Sequence, residues 1–365
     1  MRRLGAKWFD RDDRSRPLHA TTGRRCAAEE QAMIVAVICG GRSSEREVSL
    51  ISGAAVADGV ERAGHEVRAI EIDADGRWFH DGAELELRPG HGLLGADVAF
   101  PVLHGPFGED GTIQGLLEML DIAYVGSGVR ASAVCIDKLA LKQLLDHLEI
   151  AQVDFVALTR ASYEADRDAL TTQIEALGLP LFVKPARLGS SVGIVRVAEA
   201  SELPAALEQA FLYDPRVIVE AACGGIEVEC SVLGSAEQAE VSVAGEIVVL
   251  RSASPGGWYD YEAKYTPGGM ELVVPARISD TAAARVRELA LRAFSAADCS
   301  GLARADFFVD GEEVLLNELN TMPGFTTTSV YGRLWQESGI EYPELCGRLL
   351  EIALARYREQ SGYRF

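Results

Sequence analysis

The sequence predicts a chain of mixed α/β and α+β class that opens on a doubly wound α/β domain. A β-branched run at 34–39 is followed by Gly40-Gly41 and then by an apolar-periodic stretch through Val48, Ile51, Ala55 and Val60, the order of strand, glycine turn and helix. Further on, a strand-like run ends on Lys184-Pro185 and passes into Gly189-Ser190-Ser191-Val192-Gly193. Near the end, residues 305–309 and 314–320 flank Asp310-Gly311 and read as a hairpin carrying acids and amides.

Residues 1–32 are Arg-rich, also acidic, poor in aliphatics and without periodicity, which marks a disordered tail or extension outside the fold. Met33, directly before the first strand, is an alternative start. After that strand and helix, 67–72 and 98–102 supply strands and 113–120 a helix, so 33–126 is expected to form the α/β domain. A glycine turn opening a helix offers N–H groups and a positive dipole end to an anion. No GxGxxG is present, however, and Gly40-Gly41 serves equally as a tight turn in any α/β fold.

A helix is expected from Ser132 through Lys138 and Leu144 to about 148, then a strand at 180–185 ending near Lys184, within a central domain at 127–220. The Gly-Ser-Ser loop that follows has N–H and O–H donors able to wrap a phosphate. It is not the P-loop pattern, because the lysine precedes the loop; without Lys184 an ordinary connector is the better reading. A strand at 217–220 leads to another at 226–233, whose alternation puts Glu227 and Glu229 on one face. Residues 254–269 lack a period, are rich in aromatics and lie between Pro and Gly hinges, which reads as a lid; a surface loop packed on its own tyrosines is the alternative. A helix at 280–298, the acidic hairpin and a terminal helix at 342–359 complete a C-terminal domain at 221–365.

The 365 residues are enough for two or three domains, and the formal charge of −20 disfavours polyanion binding, so nucleic acid is not an expected partner. Seven scattered cysteines without a CxxC pair argue against disulfides or zinc and for the reducing cytoplasm. No apolar run approaches the length of a bilayer span, and neither a membrane partner nor secretion is expected.

The hairpin holds the sharpest chemistry. Glu318 and Asn320 share one face of a strand anchored by the apolar 314–316 run, and a loop of four or five residues brings Asp306 opposite Asn317 or Glu318. Two carboxylates and an amide, without Cys or His, suit Mg²⁺, which is usually held together with substrate phosphates. Acids near a hairpin are otherwise a solvated edge, so the reading needs partners elsewhere.

The ordered series Gly40-Gly41-Arg42-Ser43-Ser44-Glu45, His104-Gly105-Pro106-Phe107-Gly108-Glu109-Asp110-Gly111-Thr112, Lys184-Pro185 with its glycine loop, Tyr259-Asp260-Tyr261-Glu262-Ala263-Lys264-Tyr265, and Asn317-Glu318-Leu319-Asn320-Thr321-Met322-Pro323-Gly324 closely resembles the D-alanine–D-alanine ligase family of the ATP-grasp superfamily. The resemblance runs from Met33 almost to the end and implies an ATP-grasp fold with ATP gripped between the last two domains. It implies ATP-dependent joining of two D-alanines through an acyl phosphate, for peptidoglycan precursors, by a cytoplasmic homodimer. D-Ala-D-Lac or D-Ala-D-Ser ligation, or another ATP-grasp carboxylate–amine ligase, are the alternatives.

Carried over residue by residue, the resemblance gives Asp306, Glu318 and Asn320 two Mg²⁺ or Mn²⁺ ions, and makes Lys138, Lys184 and Lys264 phosphate contacts. Ser191, Glu220, Ala221, Cys223, Glu227, Phe308 and Asn317 fall in the nucleotide site, with Glu220 on the adenine amino group and Glu227 on the ribose. Ala221-Ala222 replaces the Lys-Trp pair of many relatives, leaving Phe308 to stack beneath the base. Glu45 is expected on the first D-alanine's ammonium with His104 nearby, and Ser190 and Tyr265 in a bridge from Glu45 that closes the lid. Arg304 and the Gly324 N–H are expected on the oxyanion, and Ser329 on the second D-alanine's carboxylate.

Overall fold

The computed structural model describes residues 32–189, 191–250 and 269–364. Ser190, Lys264, Tyr265, residues 254–268 of the expected lid, and residues 1–31 of the expected tail lie outside the described residues.

Three sheets organise Met33 onward. The first has six strands in the order Ala83–Glu84, Trp78–His80, Glu66–Ile72, Ile34–Gly40, Val98–Pro101, Ala123–Tyr124. Its last four strands run parallel, and both faces are covered. Val35 and Val37 point to Val56, Val60 and the terminal helix Tyr342–Ser361, whereas Ala36 and Ile38 point to Ile113, Leu117 and Leu120. A parallel strand buried on both sides must be apolar throughout, which is why 34–39 reads as a continuous run.

The second sheet is antiparallel, in the order Phe155–Thr159, Arg216–Ala221, Leu181–Pro185, Val195–Val197. One face, with Val183, Val217 and Val219, packs on Leu207 and Phe211 of the helix Leu203–Phe211. The other face presents Phe182, Lys184, Ile218 and Glu220.

The third sheet runs Met270–Val273, Gly245–Val249, Ile226–Gly234, Gly301–Asp310, Glu313–Asn320, with Ala239–Val241 also paired to Ile226–Gly234. Val228, Cys230, Val232, Ala303, Ala305 and Phe307 form its apolar face against the helix Asp280–Ala296, so Glu227, Glu229, Arg304 and Asp306 share the opposite face.

The acidic hairpin turns in two residues, tighter than the four or five expected, because Asp310 pairs with Glu313 across Gly311 and Glu312. From Val309↔Val314 a regular ladder would set Asp306 against Asn317; a bulge between Asp306 and Phe307 sets it against Glu318 instead. The core records the same slip: Val314 and Leu316 are buried before the bulge and Leu319 after it. That one extra residue turns Glu318 and Asn320 onto the face of Arg304 and Asp306.

The helix expected over 132–148 is two, Val129–Ile136 and Lys138–His147. Asp137 is extended and its carboxylate accepts from the N–H groups of Leu139 and Ala140, a cap that ends one helix and begins the next. Both helices contribute to the apolar core of the third sheet through Ala131, Cys135, Leu141 and Leu145.

Candidate active site

Two cavities adjoin. One, of about 350 Å³, is lined by Glu45, His104, Glu109, Lys138, Arg304, Glu318, Asn320, Gly324 and Ser329 among others. The second, of about 220 Å³, is lined by Lys184, Ser191, Glu220, Ala221, Cys223, Glu227, Asp306, Phe308 and Asn317 among others. Lys138, Gly189 and Glu318 line both and mark where they meet. Every site residue expected from the sequence and lying within the described residues thus borders one cavity or the other.

In the first cavity Glu45 sits at the amino end of the helix Arg46–Arg62, where its backbone N–H donates to Ser43 Oγ at 3.2 Å. Its carboxylate is buried beside Gly105; a Cβ there would lie 2.6 Å from Glu45 Oε2, and with φ at +72° only glycine suits the position. His104 bridges three segments. Its Nδ1 lies 3.1 Å from the Met322 carbonyl, which can only accept, so Nδ1 carries the proton and Nε2 accepts from Ser52 Oγ at 3.2 Å. Burial pushes the imidazole below its ordinary value, and the charge of Glu45 offsets only part of this.

Glu109 is a site residue the sequence reading passed over. Its Oε1 accepts from the Gly105 N–H at 2.9 Å, and burial followed by the charge of Glu45 raises its carboxyl to about 8. It therefore keeps a proton at neutral pH while Glu45 faces it. Ser329 precedes the helix Val330–Glu337 and exchanges hydrogen bonds with Thr326, its Oγ accepting from Thr326 N at 3.1 Å.

Around the junction, Asp306 and Glu318 are direct cross-strand partners, and Glu229 is the partner of Asp306 on the other side. Arg304 grips both oxygens of Asp306, at 2.7 and 2.6 Å, and lies 3.0 Å from Glu229 Oε2. Glu229 was placed on this face by alternation, but only the register shows it abutting Asp306. Asn320 Oδ1 accepts from the Met322 N–H at 3.1 Å, which folds the following loop back over the strand end. Lys138 donates to the Leu188 carbonyl at 2.7 Å and lies 4.0 Å from Glu318. Among the described residues no three His, Cys, Asp or Glu side chains are clustered to hold an ion by themselves. The set of Asp306, Glu318 and the amide of Asn320 is hard-oxygen chemistry of the kind Mg²⁺ shares with phosphates.

The second cavity is backed by ion pairs. Glu220 is buried, with Oε2 2.5 Å from Lys184 Nζ and Oε1 3.1 Å from Lys142 Nζ. Burial would raise its carboxyl, but the two ammonium groups outweigh that and hold it at about 2. The lysines diverge: burial wins at Lys142 and lowers it, while at Lys184 the attraction of Glu220 overcomes burial and raises it.

Matches to known proteins cover most of the chain from residue 34 onward. The family model described as D-ala D-ala ligase N-terminus matches 34–92 and 87–127, and that described as D-ala D-ala ligase C-terminus matches 144–351. The chain is 44% identical to a D-alanine--D-alanine ligase of Mycolicibacterium gilvum, covering 88% of this chain and 97% of that one. It is 40% identical to one of Chloroherpeton thalassium, over 89% and 97%. Among solved structures, the D-alanine-D-alanine ligase from Coxiella burnetii superposes with TM-score 0.78 at 32% identity, over 90% and 97% of the two chains. The VanG D-Ala:D-Ser ligase from Enterococcus faecalis gives TM-score 0.78 at 35% identity, over 88% and 100%.

Proposed function

The chain belongs to the D-alanine–D-alanine ligase family, of ATP-grasp fold, and from that membership we propose how its two adjoining cavities divide the work. The enzyme is an ADP-forming ligase that joins two D-alanines at the expense of ATP and so serves cell-wall synthesis. ATP occupies the cavity of Lys184 and Glu220; the amino acids occupy that of Glu45 and Ser329. The observation that carries this division is the shared boundary of Lys138, Gly189 and Glu318, where a γ-phosphate from one side meets a carboxylate from the other.

A carboxylate is a poor electrophile, and phosphorylating it creates an acyl phosphate that an amine can attack. Glu45 takes the ammonium of the first D-alanine and turns its carboxylate toward the junction. Lys138 and Lys184 orient the phosphates, and Asp306, Glu318 and Asn320 hold the divalent metal, taken as two Mg²⁺ or Mn²⁺ ions. The metal, when bound, neutralises phosphate charge and aligns in-line transfer. Ser329 and the helix start behind it receive the carboxylate of the second D-alanine. Its amine attacks the acyl carbon, and Arg304 with the Gly324 N–H stabilises the oxyanion that forms, a contribution of about 3 kcal/mol per well-placed donor. Phosphate then leaves and D-alanyl-D-alanine is released. The roles the resemblance gives the remaining residues are kept: Lys264 is a further phosphate contact, and Ser190 and Tyr265 form the bridge from Glu45 that closes the site against water. The enzyme is taken to act in the cytoplasm as a homodimer.

The test is ATP-dependent phosphate release by purified protein with D-alanine, L-alanine, D-serine and D-lactate, followed by mass analysis of the product. D-alanyl-D-alanine is expected. The VanG likeness makes a mixed D-alanyl-D-serine product the second reading, and its dominance over the dipeptide of D-alanine would reassign the second substrate. Glu318→Gln is expected to abolish turnover while leaving the melting temperature within a few degrees; full activity would remove the metal assignment.

A further inference from the structure

Lys142 touches neither cavity, yet it is among the largest fully buried side chains, at 1% exposure. It lies on the helix Lys138–His147, one turn beyond Lys138 and thus on the same side of the helix. That helix is tied at two points to the strand Arg216–Ala221: Asp137 pairs with Arg216 at 2.7 Å, and Lys142 pairs with Glu220 at 3.1 Å. Arg216 and Glu220 are four apart on a strand and share a face, so the helix lies along it.

The surroundings of Glu220 are built in pairs. Phe155 and Phe182 stand opposite it on the two neighbouring strands. Lys142 Nζ lies 5.2 Å from the Phe155 ring centre, and Lys184 Nζ lies 6.0 Å from that of Phe182. Each ammonium takes one carboxylate oxygen, each oxygen has a further lone pair, and Glu220 itself lines the second cavity. With both flanking cations in place, Glu220 can only accept, and it therefore favours a ring bearing an exocyclic amine over one bearing a carbonyl at the same position.

We propose that Lys142 is a positioning residue for nucleotide selection: it fixes the Glu220 carboxylate against Lys184, and through that clamp sets the preference for the amine-bearing base. This rests on the assignment of ATP to the second cavity. A cation that merely balanced a buried charge would affect stability without altering which nucleotide is used.

The test compares ATP with ITP, whose base carries a carbonyl where adenine carries its amine, in wild type, Lys142→Met and Lys142→Arg. In Lys142→Met, KM for ATP is expected to rise about tenfold and the ATP:ITP ratio of kcat/KM to fall about tenfold, the worth of a hydrogen bond to a charged group. KM for D-alanine is expected to stay within twofold of wild type, and Lys142→Arg to recover most of the preference. An unchanged ATP:ITP ratio in a folded Lys142→Met protein overturns the proposal. Should that variant not fold, Lys142→Gln is judged in the same way, and failure of both to fold also overturns it, because positioning requires a fold that stands without the ammonium. Wild-type protein that forms no dipeptide and binds no ATP analogue would instead overturn the functional reading beneath it.

Discussion

Glu109 and Glu220 are both buried carboxyls, and their neighbours drive them in opposite directions. Glu109 faces burial and the charge of Glu45 and rises to about 8, while Glu220 lies between two ammonium groups and falls to about 2. A raised carboxyl pKa means that the fold favours the protonated form, so the stability associated with Glu109 is complete below the ordinary carboxylate range and is lost as pH rises through about 8. Glu109→Gln, a neutral isostere, is therefore expected to match wild type near pH 4 and to be more stable above pH 8, by on the order of 5 kcal/mol. Melting temperatures across that range check this; a gap that stays constant with pH would show that folding leaves the Glu109 carboxyl at its ordinary value. Glu220 behaves inversely, with its contribution present above the ordinary range and lost as pH falls toward 2. Glu109 lies in a motif and Glu220 at the end of a strand that are both legible in the sequence, yet residue type alone cannot say which acid keeps its proton. The answer depends on charges brought from distant segments, Glu45 in one case and Lys184 with Lys142 in the other.

Two elements depart from their sequence patterns, and each departure builds the site. Periodicity runs through 132–148 without a break, but Asp137 interrupts it by capping the second helix and pairing with Arg216. Asp137→Ala is expected to cost about 1–2 kcal/mol through the lost cap and to raise KM for ATP, since the helix it starts carries Lys138 and Lys142. Urea unfolding with nucleotide kinetics checks both parts; a stability loss with unchanged KM would separate the helix start from the site. In the hairpin, the sequence alternation correctly placed Glu318 and Asn320 together. It left open whether Asp306 faced Asn317 or Glu318, because a bulge residue has no distinctive side chain and is fixed by the ladder on both sides of it.

Across the whole molecule, segments distant in sequence share cores. The terminal helix Tyr342–Ser361 packs Leu345, Leu349 and Leu350 against the first sheet, beside Val35, Val56 and Phe100. Leu349→Ala is expected to destabilise by about 3 kcal/mol with KM values for ATP and D-alanine within twofold of wild type. Calorimetry and steady-state kinetics decide it, and a large rise in either KM would tie this helix to the site. The division of the chain at 126/127 and 220/221 remains a proposal about domains; the three sheets fall at 34–124, 155–221 and 226–320. The third sheet joins them functionally, with an apolar face on its own helices and a polar face lining both cavities.

The sequence by itself determined the order of strands and helices around the glycine turn, the strand-borne Lys184 and the shared face of Glu318 and Asn320, because side-chain period and turn chemistry are local properties. Through its motifs it also determined the family. Only the tertiary structure decided that the bulge sets Asp306 against Glu318, that Glu109 faces Glu45, and that Lys142 reaches Glu220. Those are meetings between segments far apart in the chain, and their energies arise from burial and charge that exist only once the segments are packed together.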